Sequence, residues 1–178
     1  GTMPYAFAEG GGALYRLDVD GSVREVVANI TVSNGTDWNL ADDTMYYVDS
    51  MTRRIDVFDY DSATGGISNR RPLVEVSEEL GSPDGLTVDA EGFVWNALVY
   101  AGEIIRYAPD GSVDRRIDLP VKIATSVMFG GADLDILYVT SIAKSPQPQF
   151  PDDGPLGGSL FAIYGLGVRG IEEPRFAG

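Results

Sequence analysis

The chain has 178 residues, of which 44% are hydrophobic and 22% charged, and its formal net charge is −14. It contains neither histidine nor cysteine, which excludes Ser-His-Asp and Cys-His catalysis, His-bound or thiolate-bound metals, and disulfides. The acidic balance argues against nucleic-acid binding, and no apolar run approaches the ~18 residues of a membrane-spanning helix. We therefore expect one globular domain, residues 1–178, whose site uses oxygen ligands, which suit hard divalent cations.

Short apolar and aromatic segments recur along the chain, each followed by a polar turn. They cover residues 12–17, 45–48, 55–60, 93–96, 103–107, 136–139 and 159–163. Tyr15, Phe58, Arg106 and Phe161 occupy comparable points, 43, 48 and 55 residues apart. A period of roughly 40–50 residues with several short strands per unit is typical of β-propeller blades. The sequence predicts an all-β propeller of about three and a half blades, which favours part of a larger ring.

One polar position in each unit, just before the predicted innermost strand, forms the candidate site. The three segments are Val32-Ser33-Asn34-Gly35, Ser82-Pro83-Asp84-Gly85 and Ala124-Thr125-Ser126. Equivalent positions of neighbouring blades converge on the propeller axis, so Asn34, Asp84 and Ser126 should meet at one mouth of the central channel. One carboxylate, one carboxamide and nearby hydroxyls are suitable partial ligands for Ca²⁺ or Mg²⁺. The alternative is that Asn-Gly and Asp-Gly are ordinary turns.

Several motifs resemble the senescence marker protein/gluconolactonase/regucalcin family in the family's order. They include Ser33-Asn34-Gly35-Thr36-Asp37-Trp38, Pro83-Asp84-Gly85, Asp89-Ala90-Glu91-Gly92, Phe129-Gly130-Gly131 and Gly165-Leu166-Gly167-Val168-Arg169-Gly170. The resemblance implies a propeller of the six-bladed type with a single divalent metal. It makes Asn34 and Asp84 two of three protein ligands, the third being a glutamate that would precede Gly1.

The same resemblance implies divalent-metal-dependent hydrolysis of sugar lactones, with this chain supplying part of the site. The cation (Ca²⁺, Mg²⁺, Mn²⁺ or Zn²⁺) would polarise the lactone carbonyl. Asp84 would be the catalytic residue, which orients or deprotonates the attacking water. Thr125 and Ser126 would line the site.

Three other functions remain open at this point: a calcium-binding regulatory protein without turnover, an organophosphate hydrolase, and an inactive fragment. A glycan on the Asn34-Gly35-Thr36 sequon would block the expected ligand, which favours a cytoplasmic protein. A partial propeller exposes strand edges that template association. We therefore expect self-association, or a partner that supplies the remaining blades, besides the small-molecule lactone.

Overall fold

The computed structural model describes residues 1–2, 8–145 and 153–174, and these residues are dominated by short β-strands. The strands are β1 (Gly12–Leu17), β2 (Val23–Ile30), β3 (Ser33–Trp38), β4 (Thr44–Asp49), β5 (Arg54–Asp61), β6 (Gly66–Glu75), β7 (Ser82–Val88), β8 (Val94–Val99), β9 (Glu103–Tyr107), β10 (Val113–Asp118), β11 (Ala124–Gly130), β12 (Ile136–Ser141) and β13 (Leu160–Ile163). The helices in this part of the chain are single 3₁₀ turns at Ser50–Thr52, Glu78–Leu80 and Gly154–Leu156. The all-β expectation is confirmed. None of the described helices has the length and apolarity needed to cross a membrane.

Within the described residues the strands form four antiparallel sheets in which each strand pairs with the next along the chain. Their orders are β1-β2, β3-β4-β5-β6, β7-β8-β9-β10 and β11-β12-β13. Because consecutive strands are joined directly, most connections are short hairpins. Glycines with positive φ close equivalent turns in two sheets, Gly21 (φ 81°) between β1 and β2 and Gly111 (φ 85°) between β9 and β10. In both turns an Asp-Gly-Ser sequence places the aspartate carboxylate on the serine N–H.

An apolar core separates each sheet from the next. Alternate residues of the second strand of a four-stranded sheet face opposite cores: Met45 and Tyr47 face β1-β2, whereas Tyr46 and Val48 face the β7–β10 sheet. Such strands are buried on both faces, which explains their almost continuous apolar sequences. Sheets stacked face to face in chain order are the arrangement of propeller blades.

A buried arginine stabilises the β7–β10 sheet at the end where β7 ends. Arg106 is 3% exposed, and its guanidinium donates to Asp89 (2.8 Å) and Asp114 (2.9 Å). The guanidinium carbon lies 3.8 Å from the centre of the Phe93 ring, and the Trp95 indole N–H also donates to Asp89 (2.8 Å). The charge of Asp89, which is fully buried, is therefore neutralised by one arginine.

Candidate functional site

The three innermost strands β3, β7 and β11 approach one another closely at glycine positions. A Cβ added to Gly35 would lie 2.6 Å from the backbone nitrogen of Leu86 and 2.7 Å from the carbonyl oxygen of Asp84. A Cβ on Gly85 would collide with the Ser126 side chain. Only glycine permits such contacts between backbones, so these residues bring the three strands together where the candidate site begins.

Each of the three strands also carries a β-bulge at this same place. The ladder register shifts between Ser33 and Thr36 in β3, between Pro83 and Leu86 in β7, and between Ala124 and Ser126 in β11. Bulges change the direction of a side chain and are frequent beside active sites. The candidate residues therefore lie inside the innermost strands, at their bulged first residues, and the expectation that they precede these strands is wrong.

Asn34 is held by a network at the end of β4. Its Nδ2 donates to Ser50 Oγ at 2.9 Å. Ser50 opens a 3₁₀ turn whose N-cap is Asp49, and the buried Asp49 carboxylate accepts from the backbone N–H groups of Thr31 (2.9 Å) and Val32 (2.8 Å). The loop that leads into β3 is therefore fixed, and with it the position of the Asn34 carboxamide.

Asp84 is a partly buried carboxyl group beside Asn34. Burial raises the pKa of Asp84 to about 7, while hydrogen bonds from the Asn34 side chain and the Gly85 backbone act in the opposite direction. No salt bridge joins Asp84 to an arginine or lysine in the part of the chain that the structure covers. An ionised carboxylate here is costly unless a positive charge is bound.

Of the two predicted lining residues, the structure brings Ser126 against the site. Its side chain lies against Gly85, directly after Asp84. Thr125 occupies the bulge of β11, and its Oγ1 lies 2.9 Å from Thr140 Oγ1 on the neighbouring strand β12. Thr125 is therefore engaged within its own sheet, and of these two residues Ser126 is the one that lies against the Asp84–Gly85 segment.

The donor set fits a hard cation as part of its coordination shell. Asp84 offers carboxylate oxygens and Asn34 a carboxamide oxygen, which are ligand types that Ca²⁺, Mg²⁺ and Mn²⁺ prefer. Among the described residues no group of three or more His, Cys, Asp or Glu side chains is placed to hold a metal ion. Asn34 and Asp84 would thus supply two of the ligands of such a cation, and their role as ligands stays a prediction.

Sequence reasoning missed two residues behind the candidate ligands. Ser50 contacts Asn34, and Asn96 on β8 donates to the carbonyl oxygens of Asp84 (3.3 Å) and Gly85 (3.0 Å). The only sequence signal for Asn96 is a carboxamide inside the apolar run of Val94–Val99. Nothing in the local sequence of Ser50 distinguishes it from a turn serine.

The chain is similar to proteins of one family over most of its length. Residues 1–143 match the SMP-30/Gluconolactonase/LRE-like region. Regucalcin from Xenopus laevis is 40% identical over 168 residues, which cover 94% of this chain and 56% of that protein. A crystal structure of regucalcin from Agrobacterium tumefaciens, described as a calcium-binding protein, is 29% identical, with a TM-score of 0.88 over 97% of this chain and 58% of its own. A luciferin-regenerating enzyme is 38% identical, with a TM-score of 0.84 over 89% of this chain and 53% of its own.

The chain thus spans somewhat more than half the length of these three relatives. The match nevertheless includes β3, β7 and β11, the strands that present Asn34, Asp84 and Ser126. On this evidence the chain belongs to the SMP-30/gluconolactonase/LRE-like family.

Proposed function

We propose that Asn34 and Asp84 are two protein ligands of a single divalent cation in a site that hydrolyses sugar lactones. The observation that carries this proposal is the placement of these two residues at equivalent bulges of the neighbouring innermost strands β3 and β7, which approach each other closely at Gly35. The family name includes gluconolactonase, which supports the substrate class. The chain supplies part of the site, since it spans 56% of its regucalcin relative from Xenopus laevis.

When bound, the cation supplies Lewis-acid polarisation of the lactone carbonyl and charge stabilisation of the oxyanion. Asp84 would hold the cation through its carboxylate and could orient the attacking water or accept its proton. Asn34 would offer its carboxamide oxygen, and the hydrogen bond from Asn34 Nδ2 to Ser50 Oγ keeps the carboxamide in place. No covalent nucleophile is needed, which agrees with the absence of histidine and cysteine.

The test is a titration of the chain with Mn²⁺, Zn²⁺ or Ca²⁺, combined with an assay of gluconolactone hydrolysis. Asp84→Asn and Asn34→Ala should each weaken cation binding, because each removes one donor. Asp61→Asn is a matched control, since Asp61 is the exposed last residue of β5 and its carboxylate accepts from Thr64 Oγ1 (2.7 Å). Cation binding that is unchanged in both site variants would refute the proposal.

A second candidate is calcium binding without turnover, which is favoured by the relatives named regucalcin and by the description of one of them as a calcium-binding protein. In an assembly that completes the ring, lactone hydrolysis supported by Mn²⁺ or Zn²⁺ but poorly by Ca²⁺ would favour the enzyme. Tight Ca²⁺ binding by that assembly without hydrolysis under any cation would favour the regulatory function.

We further propose that residues 1–178 form about three and a half blades of a six-bladed ring, without a second domain. Support comes from the sheets stacked in chain order and from the share of each relative that the chain covers. Further blades would then complete the ring. A high-resolution structure of the assembled ring tests the blade number directly.

A further inference from the structure

Asn96 is a buried carboxamide in a strand whose other side chains are apolar. It is fully buried and lies in β8, Val94–Val99. It alternates with Trp95 and Ala97, so its side chain lies on the same face as Val94 and Leu98, which belong to the core shared with the β3–β6 sheet. A polar group in such surroundings lowers stability unless its hydrogen bonds offset the loss of water.

The Asn96 carboxamide contacts the bulge that presents Asp84. Pro83 pairs with Leu98 and Leu86 pairs with Asn96, so Asp84 and Gly85 together face a single residue of β8. Asn96 Nδ2 donates to both carbonyl oxygens of this bulge, at 3.3 Å for Asp84 and 3.0 Å for Gly85. The Asn96 amide therefore supplies a donor to the carbonyl oxygen of each of the two bulge residues, Asp84 and Gly85.

The orientation of this amide is determined by its neighbours. Both groups at the bulge are acceptors, so the nitrogen must face them, and the buried Oδ1 has no hydrogen-bond partner among the residues that the structure describes. An apolar residue of the same shape would avoid the cost of the unsatisfied Oδ1, but it would also remove the side-chain donor of the two bulge carbonyls. The asparagine is therefore needed here as a donor to the backbone of the bulge.

We infer that Asn96 is a positioning residue, which fixes the backbone of the Asp84–Gly85 bulge and thereby the direction of the Asp84 carboxylate. This inference rests on the proposed function, in which Asp84 is a cation ligand. Groups that hold a metal ligand in place typically contribute 10–100-fold to metal affinity. Asn96 acts on Asp84 through the main chain of the bulge, because the Asn96 side chain contacts the backbone oxygens of Asp84 and Gly85.

The experiment compares the 178-residue chain with Asn96→Leu and Asn96→Val, which replace the amide by slightly larger and smaller apolar groups. Ca²⁺ is the probe, its Kd is followed by NMR through the Gly85 backbone amide, and urea unfolding gives stability. We expect a Kd at least about tenfold weaker, and a somewhat lower stability, because the two bulge carbonyls lose their side-chain donor. The control is Thr87→Val, which removes a buried hydroxyl group from the strand that carries Asp84, β7. This substitution should change the Kd less than twofold.

The hydrogen exchange of the Gly85 amide, measured without cation, provides a second readout. It should become faster in both apolar variants if Asn96 holds the bulge. Wild-type chain that binds no Ca²⁺ would refute the proposed function, while faster Gly85 exchange would still support the positioning role. Variants with wild-type Kd and wild-type exchange would overturn the inference and leave the proposed function standing. Failure of both apolar variants to fold would also overturn it, since Asn96 would then serve the fold as a whole.

Discussion

Replacing Asp84 with asparagine should make the cation-free chain more stable at pH 8. Burial raises the pKa of Asp84 from 3.8 to about 7 in the folded chain. A folded-state pKa above the unfolded value means that the folded chain binds the proton more tightly. The stabilisation that the folded chain gains from the protonated Asp84 carboxyl is therefore fully present below pH about 4, and it is lost as the pH rises toward 7. Each pKa unit corresponds to about 1.4 kcal/mol, so Asp84→Asn should gain at most about 4 kcal/mol at pH 8 and almost nothing at pH 4.

Urea unfolding of the wild-type chain and Asp84→Asn at pH 4, 6 and 8, without divalent cations, measures this difference. Asp61→Asn is the control with the opposite sign. The pKa of Asp61 is lowered by hydrogen bonds from the Thr64 side chain and the Ala63 backbone. Asp61→Asn should therefore lower the free energy of unfolding at pH 8. An Asp84→Asn variant that is less stable than wild type at pH 8 would refute the reasoning, because the carboxylate would then be favourably solvated or paired.

Cation binding should reduce the stability difference between the two proteins. A cation at 100 times its Kd stabilises the folded state by about 2.7 kcal/mol, and only the wild-type chain keeps the carboxylate that binds it. Added Ca²⁺ or Mn²⁺ should thus raise the unfolding free energy of wild type and leave Asp84→Asn nearly unchanged. Equal stabilisation of both proteins would place the cation elsewhere in the molecule.

Three further outcomes are expected. Ser50→Ala removes the hydroxyl that holds Asn34 and should weaken cation binding about tenfold in calorimetry, whereas an unchanged Kd would show that Asn34 needs no such support. Arg106→Met leaves the buried Asp89 carboxylate without its cation and should lower the free energy of unfolding in urea by about 3–5 kcal/mol; a loss below 1 kcal/mol would contradict this role. The purified chain should self-associate in sedimentation velocity because of its exposed strand edges, and it should hydrolyse gluconolactone near the background rate; a monomer with ready turnover would show that the site lies elsewhere.

The sequence by itself determined the class of chemistry and the order of the strands. The absence of histidine and cysteine leaves oxygen ligands, whatever the fold. The repeat could be recognised in the sequence because the central strands of these sheets are buried on both faces and are therefore apolar and aromatic. Phe58, Arg106 and Phe161 lie in the third strands of their sheets along the chain, β5, β9 and β13, and Tyr15 lies in β1.

The outer strands β2, β6 and β10 were not predicted, because they carry mostly exposed side chains and lack a regular apolar alternation. In β6, for example, the central residues from Asn69 to Pro72 are all exposed. Such a strand forms through backbone pairing with its buried neighbour, and side-chain hydrophobicity adds little. Only the pairing of β5 with β6 revealed it.

Tertiary structure alone decided how the candidate site is built. Asn34 and Asp84 are 50 residues apart in the sequence, and the repeat register could place them on equivalent strands. It could not show that each lies in a bulge, because a bulge is a property of cross-strand register. For the same reason the contacts of Ser50 with Asn34, and of Asn96 with the Asp84 backbone, could not be predicted. These contacts join neighbouring strands of one sheet, and hydrogen bonds of about 3 Å depend on a geometry that residue types and spacing do not specify.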